Sequence, residues 1–311
     1  MSVVLYGFGG VGRTFAELLY ERTDVRISAV FDSRGGVIKC GGFSRSDIRA
    51  LLSSPRGGVA CSGVGAKGDL DSALQCAEVL VDVSPPNYVD GEPALSVYRR
   101  ALAKGLRVVT ANKAPLALRF EEFKGGRVFY KATVMAGTPL VDLALGLVGQ
   151  RVLRIRGVLN GTTNYILTRA ERDGLSFEAA LEEAKAKGYV EPDPSIDLEG
   201  LDAAAKLVIL ADTLGASISL KNVEREPLRY LGRKTKYVAE MDFESGKARV
   251  APARLAEGDF LSLADYTTNA AEIITEVNHV RVMGKGAGRM ETALALLNDV
   301  LRALGEAPGC R

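Results

Sequence analysis

The chain has 311 residues, with 40 Lys and Arg against 38 Asp and Glu, a single His and no Trp. At about 100 to 200 residues per domain that length predicts two domains, and a net charge of +2 supplies no broad field to draw nucleic acid or an acidic membrane. No apolar run reaches the roughly 18 to 20 residues of a membrane helix, and none of Cys40, Cys61, Cys76 and Cys310 forms a CxxC pair, which argues against zinc knuckles and thioredoxin-type chemistry.

Residues 2–6 read as a short buried strand that starts without a basic leader and cleavage site, the pattern of a cytoplasmic protein. The glycine-rich run 7–12 follows. A helical pattern then extends from Val11 to about Arg22, with Val11, Phe15, Leu18 and Leu19 on one face. Residues 26–31 make a second strand ending at Asp32. Residues 33–68 are rich in glycine and read as loop, with one helix at 44–52; strands at 79–83, 106–109 and 128–130 then alternate with helices at 69–76 and 92–104. That alternation predicts an α/β fold with a Rossmann-type, doubly wound parallel sheet. Beyond about Lys131 the pattern changes to α+β: helices at 138–148, 163–172, 176–187 and 198–214, paired strands at 237–243 and 248–255, two more at 270–274 and 279–283, and a closing helix at 287–304. Cys40, Cys61 and Cys76 are expected as ordinary thiols, and Cys310 as a free thiol or one that reaches its twin across a dimer axis.

Gly7-Phe8-Gly9-Gly10-Val11-Gly12 is GxGxxG, between a strand and a helix, with Asp32 about 20 positions on at the end of the next strand. Gly7 permits the turn, Gly9 lets a pyrophosphate approach the backbone, and Gly12 lets helix and strand pack; the phosphates meet free N–H groups at the helix N-terminus. Asp32 suits the ribose hydroxyls of NAD, with Ser33 beside it, whereas Arg34 suits the 2′-phosphate of NADP; both remain open. Ser84 follows the strand 79–83, where a loop either lines the cofactor groove or simply turns.

Hydride transfer to a carbonyl needs an acid/base. His279, the one histidine, lies in a probable strand far along the chain and is expected to be structural. Lysines and carboxylates remain. Lys113 follows a parallel strand, the edge at which such sheets bind ligands. Asp202 and Lys206 are i and i+4 on an otherwise apolar helix, and a lysine there is costly unless paired. The spacing describes an ordinary helix ion pair equally well as an aimed proton donor. Glu191, Asp197 and Asp202 offer carboxylates for a substrate ammonium.

Taken in order, the 7–12 loop, Ala111-Asn112-Lys113, the run 131–139, Asn160-Gly161-Thr162-Thr163-Asn164-Tyr165, the run 188–206 with its Glu-Pro-Asp-Pro, and Gly284-Lys285-Gly286-Ala287-Gly288 resemble the homoserine dehydrogenase family over nearly the whole chain. The resemblance implies NAD(P)-dependent interconversion of L-homoserine and L-aspartate 4-semialdehyde. It implies Lys206 and Lys113 as catalytic lysines, Glu191, Asp197, Asp202 and Thr162 at the substrate, and Gly188 and Gly288 as cofactor contacts beside the glycine loop. It also implies a nucleotide-binding domain over 1–133 completed by 284–311, a catalytic and dimerisation domain over 134–283, a homodimer, and a sodium-type cation held by the carbonyls of Lys131, Val134, Ala136 and Thr138. The family has Glu where this chain has Lys131, and an ammonium repels a cation. An aspartate-semialdehyde dehydrogenase would need a cysteine nucleophile with a histidine partner, and a non-catalytic dinucleotide sensor would need neither Lys113 nor Lys206.

Overall fold

Strand β1 (Ser2–Tyr6) carries Val3, Val4 and Leu5 without exposed surface, the continuous apolar run of a strand covered on both faces. The computed structural model describes residues 1–189 and 194–305. From β1 the chain enters α1 (Gly10–Arg22), which buries Phe15, Leu18 and Leu19, and returns through β2 (Arg26–Asp32) parallel to β1. A tight turn at Ser33-Arg34 reverses it into β3 (Gly35–Ile38), antiparallel to β2. Helix α2 (Arg45–Ser53) begins with a capping box, in which Ser44 Oγ accepts the Asp47 N–H while the Asp47 carboxylate accepts the Ser44 N–H. Then come β4 (Ala66–Lys67), α3 (Leu70–Leu74), β5 (Val79–Asp82), α4 (Ala94–Ala103), β6 (Arg107–Thr110), α5 (Ala114–Arg119) and β7 (Val128–Phe129). The sheet order β4-β3-β2-β1-β5-β6-β7 is parallel from β2 to β7, and its switch point lies between β1 and β5.

The second group of elements is α6 (Leu140–Leu145), β8 (Val152–Val158), α7 (Gly161–Arg172), α8 (Phe177–Ala186), α9 (Ser195–Leu198), α10 (Leu201–Thr213), β9 (Glu224–Arg225), β10 (Thr235–Asp242), β11 (Ala248–Arg254), β12 (Thr268–Thr275) and β13 (His279–Lys285). They form a six-stranded sheet in the order β13-β12-β8-β10-β11-β9, antiparallel except where β9 joins β11. Helices α7 and α10 pack on this sheet, and α10 is buried from Ala203 to Thr213. One register row crosses all six strands as Arg281, Glu272, Arg156, Glu240, Arg249 and Glu224, alternating in sign throughout. Arg156 binds Glu272 at 2.6 Å, and Arg249 binds Glu240 at 2.5 Å.

The last helix, α11 (Arg289–Leu304), belongs to the first sheet. Its Leu296, Leu297, Val300 and Ala303 share a core with Phe15 and Leu19 of α1 and with Val3, Leu5 and Val81 of the strands. The chain therefore divides into two units, Met1–Thr133 with the segment from Gly288, and Val134–Ala287. Among the described residues no helix is long and apolar enough to cross a membrane.

Three sequence expectations change. The loop-rich stretch 33–68 contains β3 and β4, whose Gly-Gly-Val-Ile and Ala-Lys carry no sustained apolar run to mark them as strands. The single helix expected over 198–214 is two, because Gly200 at φ 75° turns the chain between α9 and α10; a Cβ there would be driven into the Tyr237 hydroxyl. And Cys40 and Cys76, expected as separate thiols, form a disulfide with their Cα atoms 4.9 Å apart. The residue after the β3 ladder and the turn after α3 meet there, although 36 positions separate them. Cys61 is the free, exposed cysteine among the described residues, and Cys310 lies outside them. Closing a loop of that length is worth about 3 to 4 kcal/mol in the chain-entropy picture. Urea unfolding of Cys40→Ser/Cys76→Ser is therefore expected to show a stability loss of that size, and the parent in reductant the same loss. Identical midpoints for parent and double variant would show that the pair carries no stability.

Candidate active site

In the first unit the glycine loop divides its tasks as its spacing requires. Gly7 has φ 108°, and a Cβ there would lie 2.7 Å from the Val83 carbonyl carbon. A Cβ on Gly12 would collide with the Gly7 carbonyl oxygen and meet Val83 Cγ2 at 3.2 Å. Around Gly9, by contrast, nothing stands within 4 Å, so the backbone at the start of α1 is open to a ligand. No acidic side chain occupies the first turn of α1, which leaves its dipole free to meet an anion. Phe8, placed at the cofactor by sequence, points into the core at 3% exposure, under the Arg13 guanidinium; it offers a ligand its backbone. Val11 packs partly buried against the same core, and Gly10 lies beside Arg289, a cation at the start of α11 that the sequence reading did not single out.

Asp32 ends β2 with both carboxylate oxygens held by backbone donors, Oδ1 by Arg34 N–H and Oδ2 by Val59 N–H, each at 2.9 Å. Ser33 and Arg34 at the turn are exposed. Ser84 follows β5, donating its N–H to Asp82 and accepting Asn112 Nδ2 at 3.1 Å. Lys113 is half-buried at the N-cap of α5, after β6. Gly288 is the N-cap of α11 at φ 136°, in the space that the Glu291 carboxylate would deny to a side chain. Within this unit the candidate residues thus gather at the carboxyl ends of β1, β2, β5 and β6, where a switch-point crevice binds ligands.

In the second unit the candidate residues converge on Asn160. This residue caps α7 by accepting the Thr163 N–H at 2.9 Å, and its Nδ2 donates to Asp197 Oδ1 at 2.7 Å and to Asp202 Oδ2 at 2.9 Å. Lys206, 7% exposed, binds the same Asp202 oxygen and the Leu159 carbonyl, each at 2.7 Å. An ammonium has three N–H donors; these two partners fix its direction and leave one for a ligand oxygen. Thr162 donates to the Tyr189 carbonyl at 2.8 Å, just beyond Gly188 at φ 70°. Glu191 lies outside the described residues. Asn160 is the functional side chain that sequence reasoning missed, and Asn-Gly opening a helical pattern is the N-cap signal that marks it. His279, opposite Ile274 in the β12–β13 ladder, reaches Glu272 of the charge row at 2.9 Å.

An anchor stands behind residues 187–189. Glu183 accepts from Lys187, Tyr165 and Arg169, while Tyr165 and Tyr189 meet edge to face at 4.9 Å. Those donors, Lys187 foremost, hold the Glu183 carboxyl down at about 2, against an ordinary 4.5. A depressed folded value means that the contribution is complete above the ordinary value and fades as pH falls toward the lower one. In Glu183→Gln the decline of melting temperature between those two values is expected to be shallower than in the parent. An unchanged slope would show that the carboxylate is not coupled to folding.

Residues 139–301, just over half of the chain, match the family model described as homoserine dehydrogenase. The chain belongs to the homoserine dehydrogenase family. The homoserine dehydrogenase of Sulfurisphaera tokodaii is 38% identical over 97% of this chain and 98% of its own. An NAD(+)-dependent homoserine dehydrogenase of Pseudomonas canavaninivorans is 35% identical over 96% of this chain and 95% of its own. A hyperthermophilic archaeal homoserine dehydrogenase solved with NADPH superposes with a TM-score of 0.84 at 28% identity, covering 100% of this chain and 99% of that one. As a homoserine dehydrogenase the chain is an NAD(P)-dependent oxidoreductase of amino-acid biosynthesis, and no cysteine nucleophile is needed. Cys40 and Cys76 are in any case joined to each other.

Proposed function

We propose that this chain interconverts L-aspartate 4-semialdehyde and L-homoserine, with Lys206 as the residue that moves the proton. The observation carrying this is a buried ammonium fixed at 2.7 Å by both Asp202 and the Leu159 carbonyl. NADP or NAD, bound at the 7–12 loop and Asp32, supplies or takes up the hydride. As the carbonyl oxygen gains negative charge, Lys206 gives it a proton, directly or through a water, and is reloaded from solvent. In the oxidative direction it accepts that proton, so homoserine oxidation is favoured at alkaline pH. Asp202 keeps Lys206 aimed, while Asn160 holds Asp197 and Asp202 together and, with Glu191 and Thr162, these carboxylates receive the amino-acid end. Lys113 stabilises the developing alkoxide electrostatically. Gly188 and Gly288 offer backbone to the dinucleotide, as Ser33, Arg34 and Ser84 offer side chains. Spectrophotometric reduction of NAD and of NADP with L-homoserine tests the reading; failure with both dinucleotides overturns it.

A sodium-type cation at the carbonyls of Lys131, Val134, Ala136 and Thr138 does not fit what stands there. Lys131 brings its own ammonium, 4.0 Å from Asp299, and an ammonium repels a cation. No step is assigned to an ion.

The proposed assembly is a homodimer through the second sheet. A row of six alternating charges is its own complement when a second copy is turned end for end, as an isologous twofold contact demands. A covalent link through Cys310 is part of the same proposal. The proposed compartment is the cytoplasm; intracellular disulfides are rare outside hyperthermophiles, so thiol counting on freshly lysed protein tests the placement.

A further inference from the structure

Beneath the two loops that follow β5 and β6, five side chains close a hydrogen-bonded ring. Asp82, at the end of β5, has no exposed surface. Its Oδ2 accepts from the hydroxyl of Tyr98, a fully buried residue of α4, at 2.6 Å. Tyr98 meets Thr110 Oγ1 at 2.5 Å, and Thr110 Oγ1 accepts the Asn112 N–H at 2.8 Å. Asn112 Nδ2 donates to Ser84 Oγ at 3.1 Å, and the Ser84 N–H returns to Asp82 Oδ1 at 2.8 Å. Tyr98 donates to the carboxyl group, and Thr110 Oγ1 accepts the Asn112 N–H while standing 3.3 Å from the Asn112 carbonyl, to which it donates. Asn112 Oδ1 also accepts the Ala114 N–H at 3.1 Å.

An apolar core would not place a carboxyl group here, because burying one is costly unless every oxygen is satisfied. Burial pushes the Asp82 carboxyl up and the Tyr98 hydroxyl well above its ordinary range. The ring holds two turns: that of Lys113, through the Asn112 N–H and carbonyl and the Ala114 N–H, and that of Ser84, through its own N–H and hydroxyl. A fully satisfied buried network of this kind specifies one conformation.

We propose that Asp82 and Tyr98 are positioning residues for Lys113, holding its turn through Thr110 and Asn112. The proposal rests on the reading of Lys113 as the group that stabilises the alkoxide. Neither residue touches the reacting atoms; the ring sets where the Lys113 ammonium stands, and a displacement of about 1 Å costs up to a hundredfold in rate.

The test is a double-mutant cycle on the full chain, with kcat, KM for L-homoserine, dinucleotide Kd and thermal unfolding measured together. Tyr98→Phe keeps the ring's volume and removes one hydroxyl. It is expected to lower kcat by about tenfold to a hundredfold with dinucleotide Kd unchanged. In a Lys113→Ala background the same change is expected to cost less than about twofold, because residues that act as one unit are not additive. Equal losses in both backgrounds, or no loss in the parent, overturn the proposal. Should Tyr98→Phe not fold, Thr110→Val is expected to reproduce the loss and Thr110→Ser to restore it; equal activities for those two overturn the proposal. Full turnover by Lys113→Ala alone refutes the role given to Lys113, and the ring's role with it. A crippled Lys113→Ala enzyme alongside an unaffected Tyr98→Phe refutes only the ring.

Discussion

Lys206→Ala is expected to lower kcat by about 10² to 10⁴, the usual worth of a positioned general acid/base, while dinucleotide affinity stays at the parent value. The expectation separates chemistry from binding because Lys206 belongs to the second unit and the glycine loop to the first. Removing one member of a buried pair also leaves the Asp202 carboxylate without its ammonium, which costs about 3 to 5 kcal/mol in the worst case. Lys206→Met, which keeps most of the side-chain volume, should therefore be assayed beside it, with melting temperatures for both. Two folded variants that turn over homoserine at the parent rate would remove Lys206 from the mechanism.

Gly12→Ala is expected to weaken dinucleotide binding by about a hundredfold or more, a loss of about 2.8 kcal/mol. The added methyl group has no way out, since its obstruction is the Gly7 backbone carbonyl, with Val83 behind it. Overpacking of this kind costs about 1 to 3 kcal/mol of stability. Gly9→Ala is the informative partner, because nothing stands within 4 Å of the position. That variant should fold with the parent's melting temperature and bind the dinucleotide more weakly, for its methyl meets only the ligand. Calorimetric titration and thermal unfolding of the pair decide the matter; parent-like affinity in both would move the cofactor away from this loop.

How much of this was legible in the sequence follows from how local each cause is. The β1–α1–β2 unit announces itself because glycine conformation and helical period act over a few residues. The Asp202–Lys206 pair is visible because i and i+4 share a helix face whatever lies around them. Strands β3, β4 and β9 are not visible, since Gly-Gly-Val-Ile, Ala-Lys and Glu-Arg carry no sustained apolar run and exist only through the ladders they join, whereas the equally short β5 and β6 are marked by Val-Leu-Val and Val-Val. The position of Asn160 at the centre of two carboxylates, 37 and 42 residues away, is invisible for the same reason, although its capping role is not. The Cys40–Cys76 pair depends on where two turns meet, which spacing does not encode. The charge row is likewise a property of register: each arginine and glutamate looks like an ordinary surface residue until six strands are aligned.

The core of the first unit cannot be finished until the last helix has been synthesised. Phe15, Leu19 and Leu5 are covered in part by Leu296, Leu297 and Val300, and everything from Val134 to Ala287 must leave the ribosome in between. At about 5 to 20 residues per second the nascent glycine-loop unit waits on the order of ten seconds with one apolar side unsealed. The intervening unit, whose own strands and helices are contiguous, has no such delay, so the order of maturation during translation should run opposite to the order of the chain, and the early segment is the part with the greater need of a holding chaperone.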